Sequence, residues 1–308
     1  MLMKEKDFNK KSDYIFDGAV SLKDLNLRFG AEIRVSQYGF ANNVYEKNID
    51  YAVHLIVSAL ALNNSGDFKN KLSTGVLSLE SIAISLNMEM GNRKSRSVTS
   101  VRESVNRLVE NGLFELEYIN ESSKDLFIVK QSTFSFSGND VANYFYFSRD
   151  EYVKLIKIDG NNNRFNAIAI AMSIFSEINY LKKDKYWDAN KEYGKVFSES
   201  SFNNANVLQR TFTSKSVNDL ADKSGMSLKT FRRNLELLIH NKVIKAVKVQ
   251  LIYKGNNNHG GWVNYYCHYE EMSFLKAYLS NLIQSRSSNT KEQILDVDIT
   301  EAEKQMRK

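Results

Sequence analysis

Val98-Thr99-Ser100-Val101-Arg102-Glu103-Ser104-Val105-Asn106-Arg107-Leu108-Val109-Glu110-Asn111-Gly112-Leu113 is matched without a gap by Leu228-Lys229-Thr230-Phe231-Arg232-Arg233-Asn234-Leu235-Glu236-Leu237-Leu238-Ile239-His240-Asn241-Lys242-Val243. Val98, Val101, Val105, Leu108 and Val109 of the first copy stand where the second has Leu228, Phe231, Leu235, Leu238 and Ile239. Apolar residues recurring at three- and four-residue intervals share one face of a helix, and that face is normally buried. A shorter matching string precedes each copy: Ser78-Leu79-Glu80-Ser81-Ile82-Ala83 and Ser216-Val217-Asn218-Asp219-Leu220-Ala221. Each pair of strings reads as a helix-turn-helix, over 78–113 and over 216–243.

Working outward, Tyr51 to Leu62 carries Ala52, Leu55, Ile56, Ala59 and Leu60 on one stripe and is expected to be a helix, ended by the turn chemistry of 63–67. Helices are expected at 79–87 and 97–111, the second closed by Asn111-Gly112, since glycine tolerates the left-handed conformation of a helix end. Alternating apolar residues at 113–119 and 126–129 flank a polar turn and predict a β-hairpin. The order recurs downstream. A strand is expected at 144–147 and a helix at 151–158. An apolar helix at 164–180 corresponds to 51–62, followed by helices at 216–224 and 227–241. A hairpin of 243–251 and 262–268 is joined by 254–261.

Three helices followed by a hairpin define a winged helix. The expected fold is therefore α+β, mainly helical, with two tandem winged-helix domains. The first is assigned to 1–140, with 1–50 as an extended or mixed lead-in, and the second to 141–285. Residues 286–308 form a charged, serine-rich tail, for which a terminal helix at 291–307 is one candidate. The copies differ in two places. The first has eight extra residues between its paired helices, including Arg93-Lys94-Ser95-Arg96, and the second carries an insert at 181–214 containing Tyr186, Trp187 and Tyr193.

A chain of 308 residues with 43% apolar residues can build two ordinary cores. A net charge of +6 and a pI near 9.0 are compatible with a polyanionic partner. One cysteine, Cys267, excludes an internal disulfide. No apolar stretch approaches the ~20 residues that cross a bilayer. Met1 to Lys11 is charged and lacks the apolar run of a signal peptide, so no membrane association and a cytoplasmic location are expected. Proline is absent altogether, which together with abundant Asn, Lys, Ile and Tyr resembles proteins of AT-rich genomes.

Signatures of catalysis are missing. No Gly-x-x-x-x-Gly-Lys-Ser/Thr phosphate loop occurs. The histidines are His54, His240, His259 and His268. No two form a His-apolar-His pair, and His268 beside Cys267 lacks the further ligands of a zinc site. His54 reads as a structural residue on its helix. No enzymatic activity, metal or cofactor is expected, although sixteen tyrosines leave a tyrosine nucleophile open.

Candidate binding residues lie opposite the apolar stripes. On the first long helix these are Thr99, Ser100, Arg102, Glu103, Asn106 and Arg107, preceded by Arg93, Lys94, Arg96 and Ser97. On the second they are Lys229, Thr230, Arg232, Arg233 and Asn234, preceded by Ser227. Arg can bridge O6 and N7 of guanine, Asn can pair with adenine, and Ser or Thr can reach phosphates or bases. Residues near a recognition helix's N-terminus sit deepest in the major groove, which favours Ser97, Thr99, Ser100, Lys229, Thr230 and Arg233. Cations there oppose the helix dipole, so their clustering suggests an anionic partner, though a flexible basic loop would look the same. The first wing tip carries Glu121 and Asp125 beside Lys124. The second, with Lys254, Asn256, Asn257 and Asn258, has no acid and suits a minor groove.

Tandem winged helices in a basic chain of this length resemble the replication initiators of bacterial plasmids, over roughly 50–270. That resemblance carries an expectation of function: both modules bind one side of a repeated element of double-stranded DNA, with recognition helices about one turn apart. It also implies a homodimer formed through the first module and recruitment of a host replication helicase or its loader. The readings left open are a transcriptional repressor that binds an operator as a dimer, and a winged-helix protein-interaction scaffold without DNA.

Overall fold

Ser78 and Ser216 each cap the helix that follows. Ser78 Oγ accepts from the Ser81 backbone N–H at 3.0 Å, and Ser216 Oγ accepts from Asp219 N–H at 3.1 Å. The computed structural model describes residues 14–16, 20–21, 32–60, 62–63, 73–119, 125–131, 144–178, 180–181, 209–253, 259–272, 275, 279 and 292–298. The chain divides into two compact units, Met1–Ala169 and Ile170–Lys308.

The first unit begins with a small antiparallel pair, β1 (Tyr14–Phe16) and β2 (Val20–Ser21). β3 (Glu32–Ser36), α1 (Tyr38–Ala41) and α2 (Asn48–Leu60) follow, then β4 (Leu62–Asn63), β5 (Ser73–Ser78), α3 (Leu79–Ser85) and α4 (Lys94–Glu110). β6 (Phe114–Tyr118) and β7 (Leu126–Gln131) form the hairpin, and β8 (Tyr144–Ser148), α5 (Arg149–Ile156) and the start of α6 (Asn161–Phe175) complete the unit. Its main sheet is antiparallel in the order β4-β5-β7-β6, so the strand preceding α3 lies against the returning strand of the hairpin. Leu77, Phe127 and Val129 on it are buried, as are Val101, Val105 and Leu108 of α4 and Leu55 and Ile56 of α2, and α2 packs against both α4 and β5.

The second unit holds the rest of α6, then β9 (Tyr180–Leu181) and β10 (Gln209–Arg210), α7 (Val217–Lys223), α8 (Leu228–His240), β11 (Ile244–Tyr253), β12 (His259–His268) and β13 (Glu292–Asp298). Thr213 bridges Tyr266 of β12, as Gly75 of β5 pairs with Val129 of β7. Helix, extended segment, helix, helix and hairpin thus occur in the same order in both units.

The repeat extends to single hydrogen bonds. After α3 the Met88 N–H bonds to Ala83 O at 3.0 Å, and after α7 the Met226 N–H bonds to Ala221 O at 3.0 Å, each just past a left-handed residue, Asn87 or Gly225. After α4, Leu113 N–H reaches Leu108 O at 2.8 Å through left-handed Gly112; after α8, Val243 N–H reaches Leu238 O at 3.0 Å through left-handed Lys242. Both ends are six-to-one helix terminations.

Several expectations are corrected. α4 starts at Lys94 and not near 97, so most of the basic stretch is helical. The strand at 144–148, expected in the second module, pairs with β3 of the first, Ile33 opposite Phe147 and Val35 opposite Phe145, all four buried. Residues 292–298 are a strand and not part of a terminal helix: β13 pairs along β11 from Val247–Asp298 to Tyr253–Glu292. A ten-residue strand with an open edge offers unpaired backbone groups, and satisfying them outweighs weak helix propensity in the tail. The insert at 181–214 lies mostly outside the described residues.

Candidate nucleic-acid interface

α8 divides cleanly into two faces. Phe231, Asn234, Leu235 and Leu238 are buried, while Lys229, Arg232 and Arg233 are exposed and Thr230 is half-buried. Ser227 caps the helix, its Oγ accepting from Thr230 N–H at 3.3 Å and lying 3.0 Å from Thr230 Oγ1. Both hydroxyls are thus engaged in starting the helix, with their remaining hydrogen-bonding capacity at its solvent end. No carboxylate pairs with Lys229, Arg232 or Arg233 among the described residues. Leu228, expected in the stripe, is 39% exposed at the first helical position, where the chain still diverges from the core.

Asn234 is the main correction on this helix. It is 2% exposed, and its Nδ2 donates to Thr230 O at 2.9 Å while Oδ1 is buried without a hydrogen-bond partner. Three residues after Phe231 and one before Leu235, it falls on the inward face and cannot reach a base edge. Ser104 holds the equivalent position on α4 and is also fully buried.

α4 is arranged differently. Thr99, Arg102 and Asn106 are exposed and Ser100 is half-buried. Ser97 is buried, contrary to expectation: its Oγ donates to Glu89 O at 2.7 Å and ties the helix start to the preceding turn. Arg93 pairs with Glu89 at 3.3 Å, Lys94 with Glu80 at 2.7 Å, and Arg102 with Asp125, where the turn of the hairpin enters β7, at 2.8 Å. Asp125 is held in turn, its carbonyl accepting from Leu79 N–H at 3.1 Å. Arg96 is exposed. Lys254, Asn256, Asn257 and Asn258 lie outside the described residues.

Arg107, read as exposed, instead closes a buried network that hydrophobic periodicity does not reveal. Asp50 on α2 has no exposed surface. Its Oδ1 accepts from Arg107 Nη2 at 2.6 Å and Ser104 Oγ at 2.7 Å. Its Oδ2 accepts from Arg107 Nε at 3.2 Å and from the Glu46 and Lys47 N–H groups at 3.0 and 2.8 Å. The hydrogen bond to Asp50 holds the Arg107 guanidinium above its ordinary pKa. The local signal was an aspartate in the first turn of a helix, where it caps free N–H groups. Beside this network, Lys47, Asn48, Ser100, Glu103, Asn162 and Asn166 line a polar cavity of about 400 Å³.

Other titratable groups serve the core. Tyr45 Oη lies 2.7 Å from His54 Nδ1, and burial pushes the His54 pKa down to about 3. Burial likewise pushes the Cys267 thiol up to about 12, so it is no thiolate nucleophile near neutrality. Among the described residues no group of three His, Cys, Asp or Glu could hold a metal ion, and no helix is long and apolar enough to cross a membrane.

Comparison of the chain with protein-family models, with curated proteins and with solved structures gives no match in any of the three.

Proposed function

We propose that the two units are tandem winged helices and that the chain is a sequence-specific duplex-DNA-binding protein, a replication initiator of a plasmid or related mobile element. The repeated order of helix, strand, helix, helix and hairpin supports the fold, together with the matching turn after α3 and α7. The observation that carries the function is the exposed face of α8: Lys229, Arg232 and Arg233 project from a helix whose opposite face is packed, with no acid paired to them among the described residues. Such a helix can enter a major groove while its cations neutralise phosphates. The work done is binding energy alone, straining AT-rich duplex beside the bound repeats and bringing a host helicase or loader to it.

Footprinting on the DNA flanking its own gene, at two salt concentrations, tests this directly. Protected direct repeats beside an AT-rich stretch, lost with Arg233→Ala and weakened by salt, are expected. A lone protected palindrome over the promoter would favour an operator-binding repressor. No protected site with either protein would refute DNA reading.

A protein-interaction module is the second reading, and one observation favours it for the first unit. Val76, Ile119 and Leu126 are 61%, 51% and 38% exposed on the outward side of β5 and the hairpin. The register sets Ser78 against Leu126 and Val76 against Ile128, and Ile119 N–H bonds to Leu126 O, so the three are neighbours. Contiguous exposed apolar residues mark contact surfaces.

A further inference from the structure

The two recognition-type helices carry similar numbers of cations but present them in different electrostatic states. On α4 and its lead-in, Arg93, Lys94 and Arg102 each lie within ion-pair distance of an acid from a different place: Glu89 in the turn, Glu80 on α3 and Asp125 at the turn end of the hairpin. Only Arg96 of that cluster has no acidic partner among the described residues, and each helix carries an exposed acid of its own, Glu103 on α4 and Glu236 on α8. On α8, Lys229, Arg232 and Arg233 have no such partner, although Arg232 aligns with Arg102 in the repeat.

We infer that Glu80, Glu89 and Asp125 act as built-in phosphate mimics that hold the first unit's cations, so that phosphate neutralisation is concentrated on α8 and Asp125 sets how much α4 contributes. This rests on the DNA-binding reading and specifies how that site is divided and restrained.

The physical basis is counterion release. A free surface cation that meets a phosphate releases a condensed counterion, and log K falls with log salt by about 0.9 for each such contact. A cation already paired with a carboxylate gains little by exchanging one anion for another. The displaced acid is then left beside the phosphate, repelled by it, or must take up a counterion from solution. Exposed pairs of this kind are worth only ~0–1 kcal/mol to the fold, so they restrain binding without being needed for folding. Arg102 and Asp125 also join α4 to the turn end of the hairpin, the two elements that would straddle a groove and backbone. Neutralising Asp125 therefore frees a cation at the place where both meet DNA.

The test uses the full chain and two polyanion probes: a labelled duplex, read by fluorescence anisotropy across a salt series, and a heparin column, read by elution salt. Arg233→Ala and Lys229→Ala should each reduce the salt slope by about 0.9 and elute earlier from heparin. Arg102→Ala in the wild-type background should change neither. Asp125→Asn should steepen the slope by about 0.9, raising affinity by roughly 3.5-fold for each fourfold fall in salt. Arg102→Ala should then abolish that gain in the Asp125→Asn background. Glu80→Gln with Lys94→Ala repeats the design away from the hairpin, should Asp125→Asn disturb folding. Arg102→Ala flattening the slope as much as Arg233→Ala, or Asp125→Asn and Glu80→Gln both leaving it unchanged, would overturn the inference. The heparin pattern appearing as expected with no duplex binding would refute the DNA function and leave charge compensation standing.

Discussion

Lowering the pH from 7 to 5 should destabilise the first unit through a single residue. His54 has no exposed surface, its Nδ1 lies 2.7 Å from the Tyr45 hydroxyl, and its ring packs edge-on against Phe114. Burial lowers its pKa to about 3, whereas an imidazole in an unfolded chain titrates near ~6.5. Below ~6.5 the unfolded state takes up a proton that the folded state refuses until the pH nears 3. The stabilisation is therefore complete above the unfolded pKa and is lost progressively as the pH falls. A pKa difference of one unit corresponds to about 1.4 kcal/mol, so the loss reaches about 2 kcal/mol by pH 5. That is a large share of the ~5–15 kcal/mol that holds a typical domain folded. Ordinary carboxylates titrate near ~4 and contribute little in this window. The other three histidines, His240, His259 and His268, all belong to the second unit. Trp187 and Trp262 do too, so tryptophan fluorescence is blind to the event. Hydrogen exchange read by mass spectrometry on α2 peptides, corrected for the intrinsic pH dependence of exchange, measures it. His54→Gln removes the titration while keeping an acceptor for Tyr45. It should be less stable at pH 7 yet show a nearly flat profile from 6.5 to 5. Equal slopes in the wild type and His54→Gln would refute the reasoning.

The Asp50–Arg107 pair gives a second test. Asp50→Ala should cost the first unit about 3 kcal/mol, the lower end for breaking a buried pair, because the Arg107 side chain keeps 13% exposure. In a double-mutant cycle followed by hydrogen exchange, Arg107→Ala should cost at least ~1 kcal/mol less in the Asp50→Ala background than in the wild type; additive costs would exclude the coupling. The aligned helix ends should respond in opposite directions to substitution. Lys242 has φ +55°, so Lys242→Gly should stabilise the second unit by about 0.5–1 kcal/mol in a urea melt read by tryptophan fluorescence. Gly112 has φ +75°, and an added Cβ would meet the Tyr38 hydroxyl at 3.2 Å, so Gly112→Ala should destabilise the first unit by about 1 kcal/mol or more, read by hydrogen exchange on α4 peptides.

Much of the local structure was legible because it is written in periodicity and caps. The stripe through Val101, Val105 and Leu108 and its counterpart through Phe231, Leu235 and Leu238 located both long helices. Ser78, Ser216 and Ser227 begin their helices with side chains that satisfy free N–H groups, a local signal available in the residue types but not used in locating the helices. What periodicity could not show was a polar residue on the inward face. Ser97, Ser104 and Asn234 sit among the buried positions, yet by residue type they read as solvent-facing, which is why Ser97 and Asn234 entered the expected contact set. Arg107 was misread for the same reason: its guanidinium is turned toward Asp50, 57 positions away in sequence.

By itself the sequence determined that two similar helix pairs form and which of their faces is apolar, since spacing and caps act within a few residues. Only the tertiary structure decided the partners of everything else. It matched the strand at 144–148 to β3 and set the tail along the edge of β11, because an unpaired strand edge takes whichever segment can reach it. It also brought Glu80 and Asp125 to the cations of α4 and left Lys229, Arg232 and Arg233 of α8 without an acidic partner among the described residues. Ion pairing depends on distance in space, so two helices of similar charge in sequence differ in the charge they offer to a partner.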